Sequence, residues 1–368
     1  MVVDTHNDVL GAATMKGLRL EDDLTGKTHS DIGRFIKGGV DVQIFSIFCD
    51  GEQANPFQFA LREIDSLDAI TKRNPGKMQL VNSATALKKV VRQNKLAVMK
   101  GVEGGHMIED KLDNLDSLFK RGARYMTLTW NNSTNWASSA KDETEMGVKM
   151  PSEGSKFSGK KGLSDFGKGV VKRMNELGML VDLSHVGEQT FWDAINIVSK
   201  PVIVSHSCVY ALCGHRRNLK DEQIKAVAKN GGVICINFFA GFLDSNYNKA
   251  KDAFLTKHSA EKDSLTKMKW PDYEISSWLT KKYPVEAENL RPALSLLIDH
   301  IDYIVRLIGV DYVGLGSDFD GIDSAPKELD SVADMPKVTT ALLQRGYSKK
   351  EVRKILGENF LRVLSANE

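Results

Sequence analysis

The sequence predicts a protein of the α/β class, a closed (β/α)8 TIM-type barrel followed by C-terminal helices. Three observations favour this fold. Short apolar runs alternate with amphipathic helical patterns along the chain, which is typical of crossover units and a parallel sheet. Eight such runs occur in the sequence, the number that closes a barrel. Several of them end in histidine, aspartate or glutamate, and functional side chains of such barrels lie at the C-terminal ends of the strands.

The predicted strands are short, rich in Val, Leu and Ile, and bounded by Gly, Ser or Pro. This is the pattern of strands that are buried on both faces. They cover residues 2–8, 42–49, 97–103, 125–129, 180–185, 202–207, 233–239 and 313–318. A ninth apolar stretch, at residues 78–81, is predicted to be a peripheral strand outside the barrel.

The helices are predicted from apolar stripes and from their end signals. Asn55 and Pro56 indicate a helix start, a cap followed by proline at the first helical position. Further helices are predicted at residues 165–177, 189–198, 221–228 and 291–308. The closing segment, residues 331–364, is predicted to form two or three helices. Gly346 suits a helix end there, and Ser348 suits the cap of the next helix.

We predict that residues 1–368 form a single domain. Two connections, residues 131–162 and 241–290, are far longer than the usual connections of such units. Both follow predicted strands, so we expect both at the catalytic face of the barrel. They are either tolerated surface insertions or segments that wall or cover a pocket. The second is strongly charged and carries three large aromatic residues, Trp270, Tyr273 and Trp278.

Composition and charge exclude several protein classes. The hydrophobic fraction of 42% and the charged fraction of 27% are those of a soluble globular protein. A net charge of +2, without a basic stripe interleaved with aromatics, argues against a nucleic-acid partner. The cysteines lack C-x-x-C spacing and lie in apolar surroundings, so they are predicted to be buried free thiols: Cys49, Cys208, Cys213 and Cys235.

The sequence shows no membrane attachment. No apolar run approaches the ~18 residues that span a bilayer, and no signal-peptide or anchor-type pattern occurs. We therefore expect no membrane anchor in this chain. The compartment stays open: the protein is soluble, and either cytoplasmic or exported with a leader that this chain lacks. A homodimer is compatible with a barrel of this size.

A histidine and an aspartate two residues apart open the chain. In a strand, His6 and Asp8 would point to the same side. An imidazole beside a carboxylate suits zinc and similar divalent ions. One such motif carries little weight, since a polar residue often merely terminates a strand. The motif gains weight because four later strands also end in residues of this kind: Glu103, His185, His206 and Asp318.

This set of residues matches the needs of a site for two metal ions. Such a site activates a water and polarises a carbonyl at once. One ion would take His6 and Asp8, the other His185 and His206, with Glu103 between them. Asp318 is the best candidate to accept a proton from the bridging water and to deliver it to a leaving amine. Asp320 could share that face or be a local cap.

Five motifs in order resemble those of a known family. They are H-x-D near the start, V-E-G-G-H, D-L-S-H, S-H-S followed by R-R-N, and G-x-D-F-D-G. Together they resemble the membrane (renal-type) dipeptidases, the M19 metallopeptidases, and the likeness extends to the closing E-N-F-L-R-V. The resemblance implies a barrel of the metal-dependent hydrolase type with a binuclear zinc site. It also implies hydrolysis of dipeptides, with tolerance of a D-residue on the carboxyl side.

The resemblance also implies roles for individual residues. The ligands of two Zn²⁺ ions would be His6, Asp8, Glu103, His185 and His206, with Glu103 bridging. Asp318 would be the acid–base residue. Arg217, the second arginine after S-H-S, would hold the terminal carboxylate of the substrate. A planar guanidinium fork suits a carboxylate on independent grounds.

One position departs from the family pattern. Where the mammalian members have L-T-H after the fourth strand, this chain has tryptophan at position 130, followed by two asparagines. The family histidine is thought to contact the substrate carbonyl or the tetrahedral intermediate, and Trp130 offers only an indole N–H. Either Trp130, Asn131 or Asn132 supplies the missing donor, or the preferred substrate has shifted. His106, three residues after Glu103, could hydrogen-bond a ligand from behind.

Our leading hypothesis is a metal-dependent dipeptidase that cleaves L-L and also L-D dipeptides by a metal-activated hydroxide. A second hypothesis is a related binuclear metal hydrolase that cleaves a different bond, in a lactam or other amide or in a phosphoester. Phosphate substrates usually call for more cations than Arg216 and Arg217. A third hypothesis is a protein that binds small peptides without cleaving them. It is disfavoured because Asp318 is present, and a binding protein has no need of an acid–base residue there.

Overall fold

Eight parallel strands form a barrel in the computed structural model, which describes residues 1–145, 154–270 and 272–368. Their order is β1-β2-β4-β5-β6-β7-β8-β9, and β3 pairs only with β4. The bounds are β1 Val3–Asp4, β2 Val42–Phe48, β3 Met78–Leu80, β4 Leu96–Glu103, β5 Ala123–Thr127, β6 Leu180–Asp182, β7 Ile203–Ser207, β8 Val233–Ile236 and β9 Val313–Leu315. The first and last strands meet where Thr5 N–H donates to the Leu315 carbonyl at 3.1 Å. The predicted barrel is confirmed, and the predicted peripheral strand is β3.

Four strands, β1, β6, β8 and β9, are at least three residues shorter than predicted: β8, for example, ends at Ile236 and not at residue 239. β5 begins and ends two residues earlier than predicted. The strand predicted at residues 2–8 is regular only over β1, with an isolated bridge from Asn7 to Phe319. Strands β6 and β9 end three residues before His185 and Asp318 respectively. The reason is backbone conformation: His185 and Asp318 have φ of 63° and 60°, a left-handed region that extended strands exclude.

Helices fill the connections between the strands. The helix predicted at residues 165–177 has those bounds, and the others differ by a few residues at one or both ends. Their bounds are α1 Val9–Lys16, α2 Ile32–Lys37, α3 Pro56–Arg73, α4 Ala84–Val91, α5 Leu112–Lys120, α6 Ala140–Glu145, α7 Asp165–Leu177, α8 Glu188–Ile195, α9 Asp221–Asn230, α10 Ala240–Leu243, α11 Ser245–Lys257, α12 Ser259–Lys267, α13 Asp272–Lys282, α14 Pro284–Leu290, α15 Leu294–Ile308, α16 Met335–Arg345, α17 Lys349–Arg353 and α18 Asn359–Asn367.

The predicted helix ends are largely confirmed. Pro56 opens α3, although the Asn55 side chain makes no capping bond. Gly346 ends α16 at φ 103°. Ser348 caps α17, because its hydroxyl accepts from Glu351 N–H and the Glu351 carboxylate accepts from Ser348 N–H. This reciprocal pair is a capping box.

The long connection at residues 241–290 is helical and contains α11 to α14. Its helices pack around an apolar cluster of their own, formed by Phe254, Leu265, Ile275 and Leu279 with Trp270 and Trp278 against it. The insertion is tied to the loop after β9, where Asp323 accepts hydrogen bonds from Lys251 at 2.5 Å and from Ser276 at 2.7 Å. In the other long connection, residues 146–153 lie outside the described residues.

Two smaller expectations concern cysteines and membranes. The cysteines are free and buried, as predicted. None of the helices in the described ranges combines the length and the apolar character needed to span a bilayer.

The barrel interior is tightly packed below the strand ends. The Tyr125 ring on β5 lies across Gly101 on β4, so that a Cβ at Gly101 would come within 2.0 Å of it. Likewise, a Cβ at Gly316 would lie 1.8 Å from the Ser205 carbonyl oxygen. The absence of a side chain leaves room for the Tyr125 ring at Gly101, and at Gly316 it lets the chain after β9 approach β7.

We expect Gly101→Ala to lower the free energy of unfolding by about 1–3 kcal/mol, because the added methyl group displaces the Tyr125 ring in a packed interior. Denaturant midpoints would measure the loss. Gly169→Ala is the matched control: it lies in α7 with no heavy atom within 4 Å of a Cβ, and alanine favours helix by up to about 1 kcal/mol. Equal midpoints for Gly101→Ala and the unchanged protein would contradict the prediction.

Candidate metal centre

The five predicted metal ligands converge at one point above the barrel. His6 Nε2 lies 3.2 Å from Glu103 Oε2 and 3.5 Å from Asp8 Oδ2. The other Glu103 oxygen, Oε1, lies 3.0 Å from His185 Nε2 and 3.5 Å from His206 Nε2. Glu103 therefore presents one oxygen to His6 and the other to the histidine pair. This is the arrangement that a bridging carboxylate requires.

The ends of different strands deliver these side chains. Glu103 is the last residue of β4, and His206 lies within β7. His185 and Asp318 follow β6 and β9 in the left-handed conformation, which is unusual for residues other than glycine. Such conformations persist only where the surroundings enforce them, and they often occur at functional sites.

A tyrosine determines which nitrogen of His6 faces the site. The Tyr125 hydroxyl donates to the Thr5 carbonyl oxygen at 3.1 Å, and a carbonyl can only accept. The same hydroxyl oxygen lies 2.8 Å from His6 Nδ1. Since its single hydrogen is already used, it accepts from Nδ1–H. In the neutral ring, Nε2 is then unprotonated and directs its lone pair towards the carboxylates.

A serine and a buried aspartate determine which nitrogen of His206 faces the site. Ser205 Oγ donates to Asp182 Oδ2 at 2.6 Å and lies 2.8 Å from His206 Nδ1. It therefore accepts from Nδ1–H, which leaves Nε2 of His206 unprotonated. The Asp182 carboxylate is held in place by three further donors, the Thr127 hydroxyl and the backbone N–H groups of Ser184 and Ser205.

The charges at this centre favour a cation. Burial alone would raise the pKa of Glu103, but His6 and His185 hold it well below its ordinary value. Burial lowers the pKa of His185 to about 3 and that of His206 well below its ordinary value. Burial also opposes charge on His6, yet Tyr125, Glu103 and Asp8 raise its pKa well above the usual range. The surroundings of His6 Nε2 thus favour positive charge, which a metal ion also carries.

The donor set fits a divalent metal. Two groups, His6 with Glu103 and His206, and His6 with Asp8 and Asp318, each bring their ligand atoms within 4.8 Å of one another. Nε2 atoms of His185 and His206 lie only 3.0 Å apart. Asp8 Oδ1 and His185 Nδ1 are buried without hydrogen-bond partners. Imidazole and carboxylate ligands in such proximity suit zinc and similar ions.

Asp318 lies beside this centre with one oxygen already bonded. Asn237 Nδ2 donates to Asp318 Oδ2 at 2.8 Å. Burial, followed by repulsion from Asp8, raises the pKa of Asp318 well above its ordinary value. Both carboxylates border Gly321, where a Cβ would lie 2.2 Å from Asp8 Oδ2 and 2.4 Å from Asp318 Oδ1. The absence of a side chain at Gly321 keeps this space open.

Arg217 is a buried cation next to the centre. Its guanidinium donates to the Ser207 hydroxyl and to the His206 carbonyl, each at 3.3 Å, and lies over the Phe242 ring. Burial lowers its pKa to about 10, and Asp318 and Glu103 oppose this shift. Its Nε has no hydrogen-bond partner. The group is thus positively charged at neutral pH and retains a donor for a ligand.

The position where the family pattern is broken also borders the centre. The Trp130 ring centroid lies 6.4 Å from that of His185 and 4.9 Å from that of Phe48. The buried Asn132 packs against Gly51, where a Cβ would lie 2.5 Å from Asn132 Cγ. Of Trp130 and Asn132, Trp130 is therefore the one beside a site histidine. For Asn131, the third candidate, the structure shows its carbonyl accepting from the Ser139 hydroxyl.

Two residues considered from the sequence have other contacts. His106 Nε2 lies 3.0 Å from the Cys49 carbonyl, and burial lowers its pKa to about 4. The expected bond from His106 to a ligand is absent among the described contacts, because this nitrogen faces the end of β2. Asp320 accepts from His29 N–H at 2.6 Å. It therefore joins two loops, as a local cap would.

The residues that orient the site were not identified from the sequence. The motifs at the strand ends predicted ligands and an acid–base residue, but no residue that orients them. The orienting residues are Tyr125, Asp182, Ser205 and Asn237. The available signal was a polar residue inside or next to an apolar run, such as the aspartate of L-V-D-L-S-H. Such residues commonly orient metal ligands from behind.

Comparison with known proteins gives one family and a set of related folds. The family model described as membrane dipeptidase (peptidase family M19) matches residues 1–368. The probable dipeptidase PvdM from Pseudomonas aeruginosa is 23% identical, with a TM-score of 0.81 over 100% of this chain and 95% of that one. A metallopeptidase from Rhodobacter sphaeroides, solved with a phosphinate mimic of L-Ala-D-Ala, is 21% identical, with a TM-score of 0.78 over 100% and 99%. A dipeptidase of family M19 is 22% identical, with a TM-score of 0.77 over 100% and 98%.

We expect Tyr125→Phe and Ser205→Ala to weaken the binding of divalent metal by about 10–100-fold, because each removes the acceptor that holds a histidine in its ligating tautomer. Competition with a chromogenic chelator would measure the dissociation constants. Tyr303→Phe is the control, since the Tyr303 hydroxyl bonds Asp221 away from the site. Affinities equal to that of the unchanged protein would show that these hydroxyls do not orient the ligands.

Proposed function

The chain belongs to the membrane dipeptidase family, peptidase family M19, and we propose that it hydrolyses dipeptides at the centre described above. One observation carries this proposal: the two Glu103 oxygens face His6 on one side and the histidine pair on the other. A buried arginine and a carboxyl group with a raised pKa border the same centre. These are the parts needed to bind a small peptide and to transfer a proton during its cleavage.

We propose that the centre holds two Zn²⁺ ions, with His6 and Asp8 on one, His185 and His206 on the other, and Glu103 shared. The distances at Glu103 and the unpaired buried oxygen Oδ1 of Asp8 support this assignment. Zinc ions, when bound, would supply an activated water and a polarised carbonyl. Metal analysis of the purified protein should then give close to two ions per chain, and an anomalous-scattering map should place them beside Glu103.

Asp318 is proposed as the acid–base residue. Its raised pKa allows it to take up a proton from the attacking water and to retain it until the amine leaves. Asn237 holds one oxygen of Asp318, so the other is directed towards the open space beside Gly321. This orientation supports transfer across the scissile bond.

Arg217 is proposed to bind the terminal carboxylate of the dipeptide. Its guanidinium is fixed by Ser207 and the His206 carbonyl, so little rotational freedom remains to be lost on binding. We also propose that D-residues are accepted at the carboxyl side, as the family resemblance implies. Trp130, beside His185, would supply an indole N–H near the substrate carbonyl.

We propose further that residues 1–368 act as one unit, with the insertions at 131–162 and 241–290 bounding the catalytic face. Two contacts support this. Ala140 N–H donates to the His185 carbonyl at 2.8 Å, and Asp323, in the loop after Asp318, binds Lys251 of the second insertion. Segments placed in this way would limit the length of peptide that fits.

The dipeptidase activity is tested with the zinc-loaded protein and four substrates: L-Ala-L-Ala, L-Ala-D-Ala, a lactam and nitrophenyl phosphate. We expect turnover of the dipeptides to exceed that of the others. We expect Asp318→Asn to lower kcat about 10²–10⁴-fold, because the proton acceptor is lost, while metal content stays at the level of the unchanged protein. Asp165→Asn is the control, since Asp165 is fully exposed on α7. Turnover of the lactam or the phosphate alone would refute the dipeptidase proposal.

We expect Arg217→Lys to raise KM for dipeptides about 10-fold or more, because an ammonium group cannot reproduce a bidentate contact with a carboxylate. The change should be much smaller for the corresponding dipeptide amides, which lack the terminal carboxylate. Steady-state kinetics on both substrate series would measure the difference. An equal effect on acids and amides would mean that Arg217 supports the site without holding the carboxylate.

A further inference from the structure

A cavity of about 270 Å³ lies next to the metal centre. His185 and Arg217 form part of its wall, so it begins where the centre ends. The rest of the lining comes from α6, from the start of α8 and from the connection that follows β7, which also carries Arg217. The cavity has room for an amino-acid side chain, and its lining includes the exposed Tyr210 and the buried Phe191.

The lining of the cavity is rich in positive charge. Among the described residues, four cationic residues contribute to it, against two carboxylates, Glu143 and Glu188. The cationic residues are Lys161, Arg216, Arg217 and Lys220. A surplus of one sign of charge in a recess concentrates the electrostatic potential there.

Both carboxylates already have donors. Glu143 is buried, and it accepts from the Ser138 hydroxyl at 2.5 Å and from Gln189 N–H at 3.0 Å. The second of these donors belongs to the first turn of α8, whose N-terminus favours a negative charge. Glu188 pairs with Lys220 at 2.7 Å. Both carboxylates keep their negative charge, and the described lining still has more cationic than anionic residues.

The position of Arg217 indicates which part of a substrate would reach the cavity. If Arg217 holds the terminal carboxylate, the nearest side chain is that of the C-terminal residue, because it branches from the carbon bonded to that carboxylate. The N-terminal residue lies on the far side of the scissile bond. The cavity and Arg217 are adjacent, so the C-terminal side chain is the one that enters.

We propose that this cavity receives the side chain of the C-terminal residue and selects an acidic one, so that dipeptides ending in aspartate or glutamate are preferred substrates. This inference rests on the proposed dipeptidase function. The side-chain carboxylate would gain from the surrounding cations, while its methylene groups lie against the exposed Tyr210. A lysine side chain would meet like charge at the same place.

The test compares Ala-Asp with Ala-Asn, which have nearly the same shape and differ in charge, each with an L- or D-residue at the C-terminal position. For the zinc-loaded protein we expect kcat/KM to favour Asp over Asn, and the preference to shrink as salt screens the charges. Lys161→Gln should reduce the ratio of kcat/KM for Ala-Asp to that for Ala-Asn about 2–5-fold, which corresponds to the usual strength of an exposed charge pair. Lys161→Glu should reduce this ratio further. Lys350→Gln is the matched control: it removes the same charge from an exposed position on α17, outside the cavity, and should leave the ratio unchanged.

Two results would overturn this proposal alone. One is equal kcat/KM for Ala-Asp and Ala-Asn in a protein that turns over both. The other is a Lys161 substitution that lowers both values equally, which would mean that the cations serve only the terminal carboxylate. Absence of turnover for every dipeptide, including L-Ala-L-Ala, would instead overturn the dipeptidase function, and the substrate preference with it.

Discussion

The placement of one buried carboxylate governs the rest of the site. Glu103 lies between His6 and the pair His185 and His206, and each of its oxygens faces a different side. A buried carboxylate is costly unless charges or donors surround it, and here the imidazoles and the Ser46 hydroxyl, at 3.1 Å, do so. Because these partners come from different strands, the centre exists only when the barrel is closed.

Two hydroxyl groups below the ligand histidines, those of Tyr125 and Ser205, orient the imidazole rings for metal binding. Tyr125 and Ser205 each use their single hydroxyl hydrogen on an acceptor below and so must accept from a histidine above. Both histidines are thereby held with Nε2 free, which is the state that ligates a metal. The glycines at 101 and 316 leave the space that Tyr125 and Ser205 need. Packing, tautomer and metal affinity are therefore linked by the same few contacts.

The barrel was predictable because apolar runs ending in polar residues repeat along the chain, and parallel strands place those ends on one rim. Strand ends were less predictable, since His185 and Asp318 adopt left-handed backbone that no local pattern indicates. The helices of the insertion at 241–290 were missed because they bury their apolar residues against each other and not against the barrel. The hydrogen bond to a ligand that the sequence left open for His106 is absent among the described contacts, because proximity in sequence to Glu103 does not decide which way a ring turns.

The sequence by itself determined the class of fold, the set of candidate ligands and the family, because residue type and order along strands are local properties. Only the tertiary structure decided which oxygen of Glu103 faces which histidine, which ring nitrogens are free, and which side chain bonds Asp318. It also decided that a cationic cavity adjoins Arg217. These features depend on distances between residues that are up to 119 positions apart in the chain, and such distances follow from barrel closure and packing, which no stretch of sequence specifies alone.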